Sequence, residues 1–429
     1  MNAHAPADPH ADSAIPLDGP SQRPAGTLVL IGGALDEHAG ILSRIVALAD
    51  ARRGSGAPRI AILTTASEPA PSAAASADPS LENDAADGQY YVELFTRHGA
   101  TGLPIPVGAS SAPPYAGAAY HAGRASDPEV AELVRSADAV FLGGGDQSHY
   151  VRALFTHDPA GAATRTETPV LTAIREVLDR GGVIAGTSAG LAVQQGAFMV
   201  TGGADIHTAW AHGAAPGTDR EIDGREALSY DPVGGLGLFT EALLDSHFSE
   251  WGRPARAVRL ARDTAQRRCI GVDEHTAFVY DRATRVAEVL GDRGVSFLDL
   301  DGAEGRGDSV LGTRWSYLVP GDRHDFATDV TVRGTQPAGL GLDPDPDLDP
   351  AGAAPSAAGD IWADDGSRPL LALAQRLLAS PDSTARGESA EDRTPRYRTS
   401  LHRDERTIAF PTGGFAELIL SITPTHPTH

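Results

Sequence analysis

Cysteine is nearly missing: Cys269 is the only one in 429 residues. A lone thiol excludes an internal disulfide and any cysteine-rich metal site. Its surroundings, Arg267-Arg268-Cys269-Ile270-Gly271-Val272, read as a buried strand and not as the turn of a nucleophile. Positive charge is short as well. There are 35 Lys and Arg against 57 Asp and Glu, for a formal net charge of −22. A nucleic-acid backbone needs a basic face, so no nucleic acid is expected as a partner. An anionic membrane surface is excluded on the same ground. No apolar run approaches the length of a transmembrane helix. The stretch Met1 to Pro24 has neither a basic n-region nor an apolar h-region, so it is not a secretory signal. A cytoplasmic protein is the expectation.

What is present is enough for a large core, with 41% hydrophobic and 21% charged residues. Residues 1–25 read as a disordered tail, and its His4 and His10 as solvated side chains. Residues 26–330 read as one α/β domain, 331–365 as a Gly/Pro/Asp-rich linker, and 366–429 as an α+β extension. In the extension, Leu370 to Leu378 predicts a helix, and Thr407–Phe410 with Ala416–Ile422 a hairpin.

Continuous apolar runs alternate with amphipathic helices through the first half. Thr27–Ile31, Arg59–Thr65, Ala139–Leu142 and Val183–Ala185 are such runs. This pattern predicts a parallel sheet with helices on both faces. Chemistry in such sheets gathers beyond the carboxyl ends of the strands. Gly32-Gly33, Gly143-Gly144-Gly145 and Gly186-Thr187-Ser188-Ala189-Gly190 all stand at such ends.

The last of these is a G-x-S-x-G turn between an apolar strand and an apolar segment, Leu191 to Ala197, expected to be a helix. In that context the serine is a nucleophile at the apex of a cramped turn. The Gly-Gly-Gly run lacks the lysine and the spacing of a phosphate loop and is expected to face the serine as an oxyanion loop. A serine nucleophile needs a base, and the base a third group that fixes its tautomer. His247 at a strand end and Glu274 at a strand-end turn are placed to converge on Ser188. His149, His207, His212 and His275 are alternative bases, and Asp205, Asp245 and Asp273 alternative acids. His207 and His212, in a stretch 207–223 read as a surface loop, have no third ligand at metal-site spacing. No metal or cofactor is expected. Trp251 to Leu260 predicts a helix with Arg253, Arg256 and Arg259 on one face. Cys269–Tyr280 reads as strand, turn, strand, and Val286–Leu290 with Val295–Leu298 as hairpin-like pieces.

Four blocks occur in order: Gly143-Gly144-Gly145-Asp146-Gln147, Gly186-Thr187-Ser188-Ala189-Gly190, Asp245-Ser246-His247-Phe248, and Gly271-Val272-Asp273-Glu274-His275-Thr276-Ala277. Together they resemble the cyanophycinase family of serine peptidases, related to the aspartyl dipeptidases (peptidase E), over roughly residues 26–330. The resemblance implies a flavodoxin-like or class I glutaminase-like fold and a homodimer. It implies a triad of Ser188, His247 and Glu274 and an oxyanion hole at Gly145 and Ala189. It implies substrate contacts from Gln147, Asp245, Ser246, Arg253 and Arg256. The implied substrate is cyanophycin, a poly-aspartate carrying arginine on its side chains, released as β-Asp-Arg dipeptides. A different β-aspartyl or acidic peptide is the alternative, and a catalytically silent binding protein on the same fold is the rival from another class. A cysteine glutaminase is excluded, because serine holds the turn. Two positions depart from the family pattern: Ser246 replaces a glutamine and Trp251 an arginine.

Overall fold

The computed structural model describes residues 26–35, 37–157, 165–334 and 356–425. The expected tail, with His4 and His10, lies outside them, as do residues 335–355 of the expected linker.

Five strands form the parallel heart of the fold: β1 (Thr27–Ile31), β2 (Arg59–Leu63), β3 (Thr101–Pro104), β4 (Ala139–Leu142) and β5 (Val183–Thr187). Between them run α1 (Ala39–Arg53), α2 (Asp84–Arg97), α3 (Pro128–Arg135), α4 (Gln147–Leu154) and α5 (Pro169–Asp179). Successive strand side chains point to opposite faces. Val29, Ile31, Ile60 and Ile62 accordingly pack with Ile41 and Ile45 of α1 and Phe95 of α2. Leu28, Leu30, Ala61 and Leu63 pack with Val134, Leu154 and Val177 of α3, α4 and α5. Both faces of β1, β2, β4 and β5 are covered, which is why they are nearly continuous apolar runs rather than alternating. β3, the edge strand, is Thr-Gly-Leu-Pro with both ends exposed.

The second half begins with α6 (Ala189–Ala192), α7 (Ile206–His212), β6 (Leu243–Asp245) and α8 (Pro254–Asp263). It continues with β7 (Arg268–Val272), β8 (Thr276–Asp281), β9 (Val286–Gly291), β10 (Val295–Asp299), β11 (Ser309–Leu318), β12 (Arg323–Asp325) and β13 (Val330–Val332). The C-terminal segment supplies β14 (Ser356–Asp360), α9 (Pro369–Ala379), β15 (Thr384–Glu388), β16 (Tyr397–His402) and β17 (Phe415–Pro424).

Two large sheets result. The first runs β13-β12-β9-β8-β1-β5-β4-β2-β3, parallel from β1 to β3 and antiparallel from β8 outward. The second follows β6-β7-β10-β11-β17-β16-β15-β14, with two short strands beside it. β17 pairs with β11, so the C-terminal segment continues a sheet begun by β6 and β7. The hairpin expected near the C-terminus forms, with Ile408 opposite Ala416. Among the described residues, no helix is long and apolar enough to cross a membrane.

Several local expectations are corrected. Cys269–Tyr280 is two strands, but β7 joins the second sheet and β8 the first. Val286–Leu290 and Val295–Leu298 likewise go to different sheets and do not pair with each other. The stretch 207–223 holds α7, whose first turn is capped by the Asp205 carboxylate accepting from Thr208 N at 2.7 Å. The helix expected over 191–197 stops at Ala192. The carbonyls of Val193, Gln194 and Gln195 accept instead from Leu236, Leu238 and Gly237, a loop crossing beside them. The helix expected from Trp251 starts at Pro254, a residue suited to a first turn, and runs to Asp263.

Candidate active site

Ser188 leaves the end of β5 with φ 53° and ψ −112°, a conformation costly for a residue with a Cβ. Gly186 and Gly190 permit the turn. A methyl group on Gly186 would stand 2.1 Å from the Gly190 carbonyl oxygen, and one on Gly190 2.1 Å from that of Leu142. The Ser188 N–H donates to Ile31 O, tying the turn to the neighbouring strand.

His247 lies two residues beyond β6, also at positive φ (46°). Its N–H donates to Gly32 O at 2.6 Å, and its carbonyl accepts from Trp251 N. Gly33 lies against its ring: a methyl group there would be 2.1 Å from Cε1. Glu274 occupies the short passage between β7 and β8, where the chain crosses from one sheet to the other. His275 donates its N–H to Gly33 O, so the same glycine pair holds both passages.

These placements bring three side chains together. His247 Nε2 lies 2.8 Å from Ser188 Oγ, and His247 Nδ1 lies 2.8 Å from Glu274 Oε1. Burial raises the Glu274 carboxyl, but His247 and Arg293 outweigh it and hold Glu274 below its ordinary range. An ionised carboxylate only accepts, so Nδ1 carries the hydrogen and Nε2 presents its lone pair to the serine hydroxyl. Burial depresses the imidazole below its ordinary value of 6.5, against the opposing pull of Glu274. The arrangement is that of an activated hydroxyl with an oriented base.

Arg293 stands behind Glu274. Its Nη1 lies 3.2 Å from Glu274 Oε2 and 2.7 Å from Glu250 Oε1. The buried Glu250 accepts from Glu274 N, and burial together with Asp273 pushes its carboxyl up to about 7. Asp273 accepts from Ser249 N and from the Tyr317 hydroxyl at 2.7 Å. Glu250, Arg293 and Tyr317 were not legible as site residues, because each reaches Glu274 or its neighbour from a separate stretch of chain.

Gly145 has φ 125°, and a methyl group there would strike Ala66 O at 2.2 Å. Gly144 lies against the nucleophile, a methyl group on it standing 3.5 Å from Ser188 Cβ. Ala189 is the first residue of α6 and is buried. Among the described residues, no acceptor takes the N–H of Gly144, Gly145 or Ala189. Gln147 donates its side-chain amide to Val200 O at 2.7 Å.

Asp245 is buried and held by Arg256 through two bonds, at 2.8 and 2.7 Å. Burial raises its carboxyl, but Arg256 and Arg253 hold it below the usual carboxylate range. Arg253 Nη1 also donates to Ser246 O at 2.7 Å and lies 3.2 Å from Ser246 Oγ. Burial and Arg256 push the Arg253 guanidinium down to about 9. Arg259 turns away to Asp263 and Trp210 O.

Of the other candidate bases, His149 bonds with Ala66 O and His207 with Pro395 O. Asp205 pairs with Arg393. Cys269 is buried, and burial pushes its thiol up. Among the described residues there is no group of three or more His, Cys, Asp or Glu able to hold a metal ion.

No family model matches the chain. Curated proteins named cyanophycinase do. That of Geminocystis herdmanii is 31% identical over 174 residues, covering 40% of this chain and 53% of the relative. That of Trichormus variabilis is 32% identical over 173 residues, covering 40% and 48%. The chain spans about half the length of the curated relatives it matches. The resemblance drawn from the four blocks is thereby borne out. Among solved structures, a peptidase from an acI-B1 Actinobacterium is similar at TM-score 0.46 and 19% identity, over 71% of this chain and 98% of that one. A peptidase E protein from Listeria monocytogenes is similar at TM-score 0.33 and 12% identity, over 62% and 98%.

Proposed function

We propose that the protein is a cyanophycinase-like serine peptidase that hydrolyses an amide or isopeptide bond next to an aspartyl residue. The single observation that carries the reading is the unbroken line Ser188 Oγ, His247 imidazole, Glu274 carboxylate, with both links at 2.8 Å. The curated relatives named cyanophycinase support the substrate class, and cyanophycin is its first member.

In this reading His247 Nε2 accepts the Ser188 proton as Oγ attacks the scissile carbonyl carbon. The carbonyl oxygen becomes an oxyanion and takes hydrogen bonds from the free N–H groups of Gly145 and Ala189. Glu274 stabilises the imidazolium and keeps its tautomer. The imidazolium gives its proton to the departing amine, leaving an ester on Ser188. Water, deprotonated by the same nitrogen, then attacks the ester and frees the carboxylate. No metal or cofactor enters the cycle.

In this reading Gln147, Arg253 and Ser246 are the candidates for touching substrate. Asp245 and Arg256, buried against each other, position Arg253 instead. With serine and tryptophan where the family pattern has glutamine and arginine, forked donors are lost, and a different β-aspartyl or acidic peptide is the alternative substrate. A cytoplasmic homodimer completes the proposal, the dimer to be tested by sedimentation.

The test is incubation with insoluble cyanophycin and with β-aspartyl-arginine peptides, beside Ser188→Ala. Dipeptide release by the wild type and its loss in the variant are expected. No release from either substrate sinks the substrate class. Equal release by Ser188→Ala sinks the mechanism.

A further inference from the structure

Among the described residues, Trp251 is one of seven large hydrophobic side chains left exposed, at 40%. It is also the position where the family pattern has arginine. Its indole stacks on the His247 imidazole, with ring centroids 4.4 Å apart and planes 24° from parallel. The Arg253 guanidinium carbon lies 4.5 Å from the centroid of the same indole.

The other side of the imidazole is occupied as well. A methyl group on Gly33 would stand 2.1, 2.3 and 2.6 Å from Cε1, Nε2 and Nδ1 of His247. Nearly equal distances to three adjacent ring atoms place that point over the ring face, not off its edge. The Gly33 backbone and the indole cannot share one face, so the imidazole is clamped between them. Its two nitrogens are left to Ser188 and Glu274.

We propose that Trp251 is a positioning residue for His247: it holds the imidazole in the plane that joins Ser188 to Glu274 and stabilises the protonated ring. The proposal rests on the Ser188–His247 reading above. The face of an indole is electron-rich and attracts a cation above it. His247 becomes such a cation at the moment Ser188 surrenders its proton. The indole thus acts more strongly on the charged state than on the resting one, as a contribution to catalysis requires.

The other charges facing the ring are few. Glu274 on the β7–β8 passage and Asp245 at the end of β6 favour the imidazolium, and Arg253 ahead of α8 opposes it. Arg293 and Glu250 act on it through Glu274. The Gly32-Gly33 loop and the Ser188 turn add no charge.

The test follows covalent capture of Ser188 by a fluorophosphonate as a function of pH, which requires no knowledge of the substrate. Trp251→Ala, at an exposed site, is expected to keep the wild-type melting temperature. Its acid limb should move to lower pH by about half a unit, as the imidazolium loses the indole face. Capture on the plateau should slow by about tenfold, as the ring loses its plane. Trp251→Phe keeps a ring face and should return both values close to wild type, which a purely structural role would not require. Trp251→Arg should move the limb further down, since a like charge then faces the ring. An acid limb in Trp251→Ala that stays in place or rises overturns the proposal, and so does a Phe variant indistinguishable from the Ala variant. If the wild type is not captured at Ser188, the serine–histidine reading itself fails and this proposal with it.

Discussion

At His247 three requirements meet in one side chain: a strained backbone, two hydrogen-bond partners and two covered ring faces. The first two concern chemistry, and the third explains a glycine. Gly33 has φ 116°, where any side chain is strained, and a Cβ there would overlap the imidazole. Gly33→Ala should therefore displace the ring and lower kcat/KM by at least ~10²-fold. It should also lower the melting temperature, as read by circular dichroism. Wild-type activity in that variant would mean the ring has another resting place. The pH dependence belongs to this scale too. His247 must be neutral to accept a proton, and burial holds it below 6.5. Activity should consequently persist below pH 6.5 and fall as the ring protonates at more acid pH. An acid limb above 6.5 would show that burial does not dominate the imidazole.

Among the elements, the passages count for more than the strands. β7 and β8 are neighbours in sequence but belong to different sheets, and Glu274 sits on the three-residue crossing between them. Apolar runs and a polar turn announced both strands, yet nothing in their pattern distinguishes a hairpin from a crossing. Ser188 was legible because its turn is encoded locally, by glycines whose missing Cβ atoms make room for neighbouring carbonyls. The length of α6 was not, because distant residues 236–238 capture the carbonyls a longer helix would use. Trp251 stood out only as a departure from a pattern; its stack on His247 depends on the turn after β6 and has no periodic signature. The C-terminal segment carries no chemistry legible in its sequence, and its place follows from pairing. Phe415, Leu418 and Leu420 of β17 are fully buried beside Trp315 and Tyr317 of β11. Tyr317 in turn donates to Asp273, next to Glu274. Ending the chain after Gly334 should thus expose the apolar edge of β11 and yield aggregated, inactive protein. A soluble truncated enzyme with unchanged melting temperature would contradict that dependence.

Across the whole molecule, two sheets meet where their strands end. β5 and β1 bring Ser188 and Gly32-Gly33 from the first sheet, and β6 and β7 bring His247 and Glu274 from the second. The α/β character of the first sheet was readable from its continuous apolar strands; the second sheet was not, since its members are scattered from β6 to β17. The proposed chemistry needs both sheets at once, and its centre is the hydroxyl of Ser188 made nucleophilic by His247. The most direct measurement is peptide mapping by mass spectrometry after fluorophosphonate treatment at neutral pH. A single adduct on Ser188 is predicted, forming at least ~10²-fold more slowly in His247→Ala. No adduct on Ser188, or one that forms as fast without the imidazole, would contradict the account.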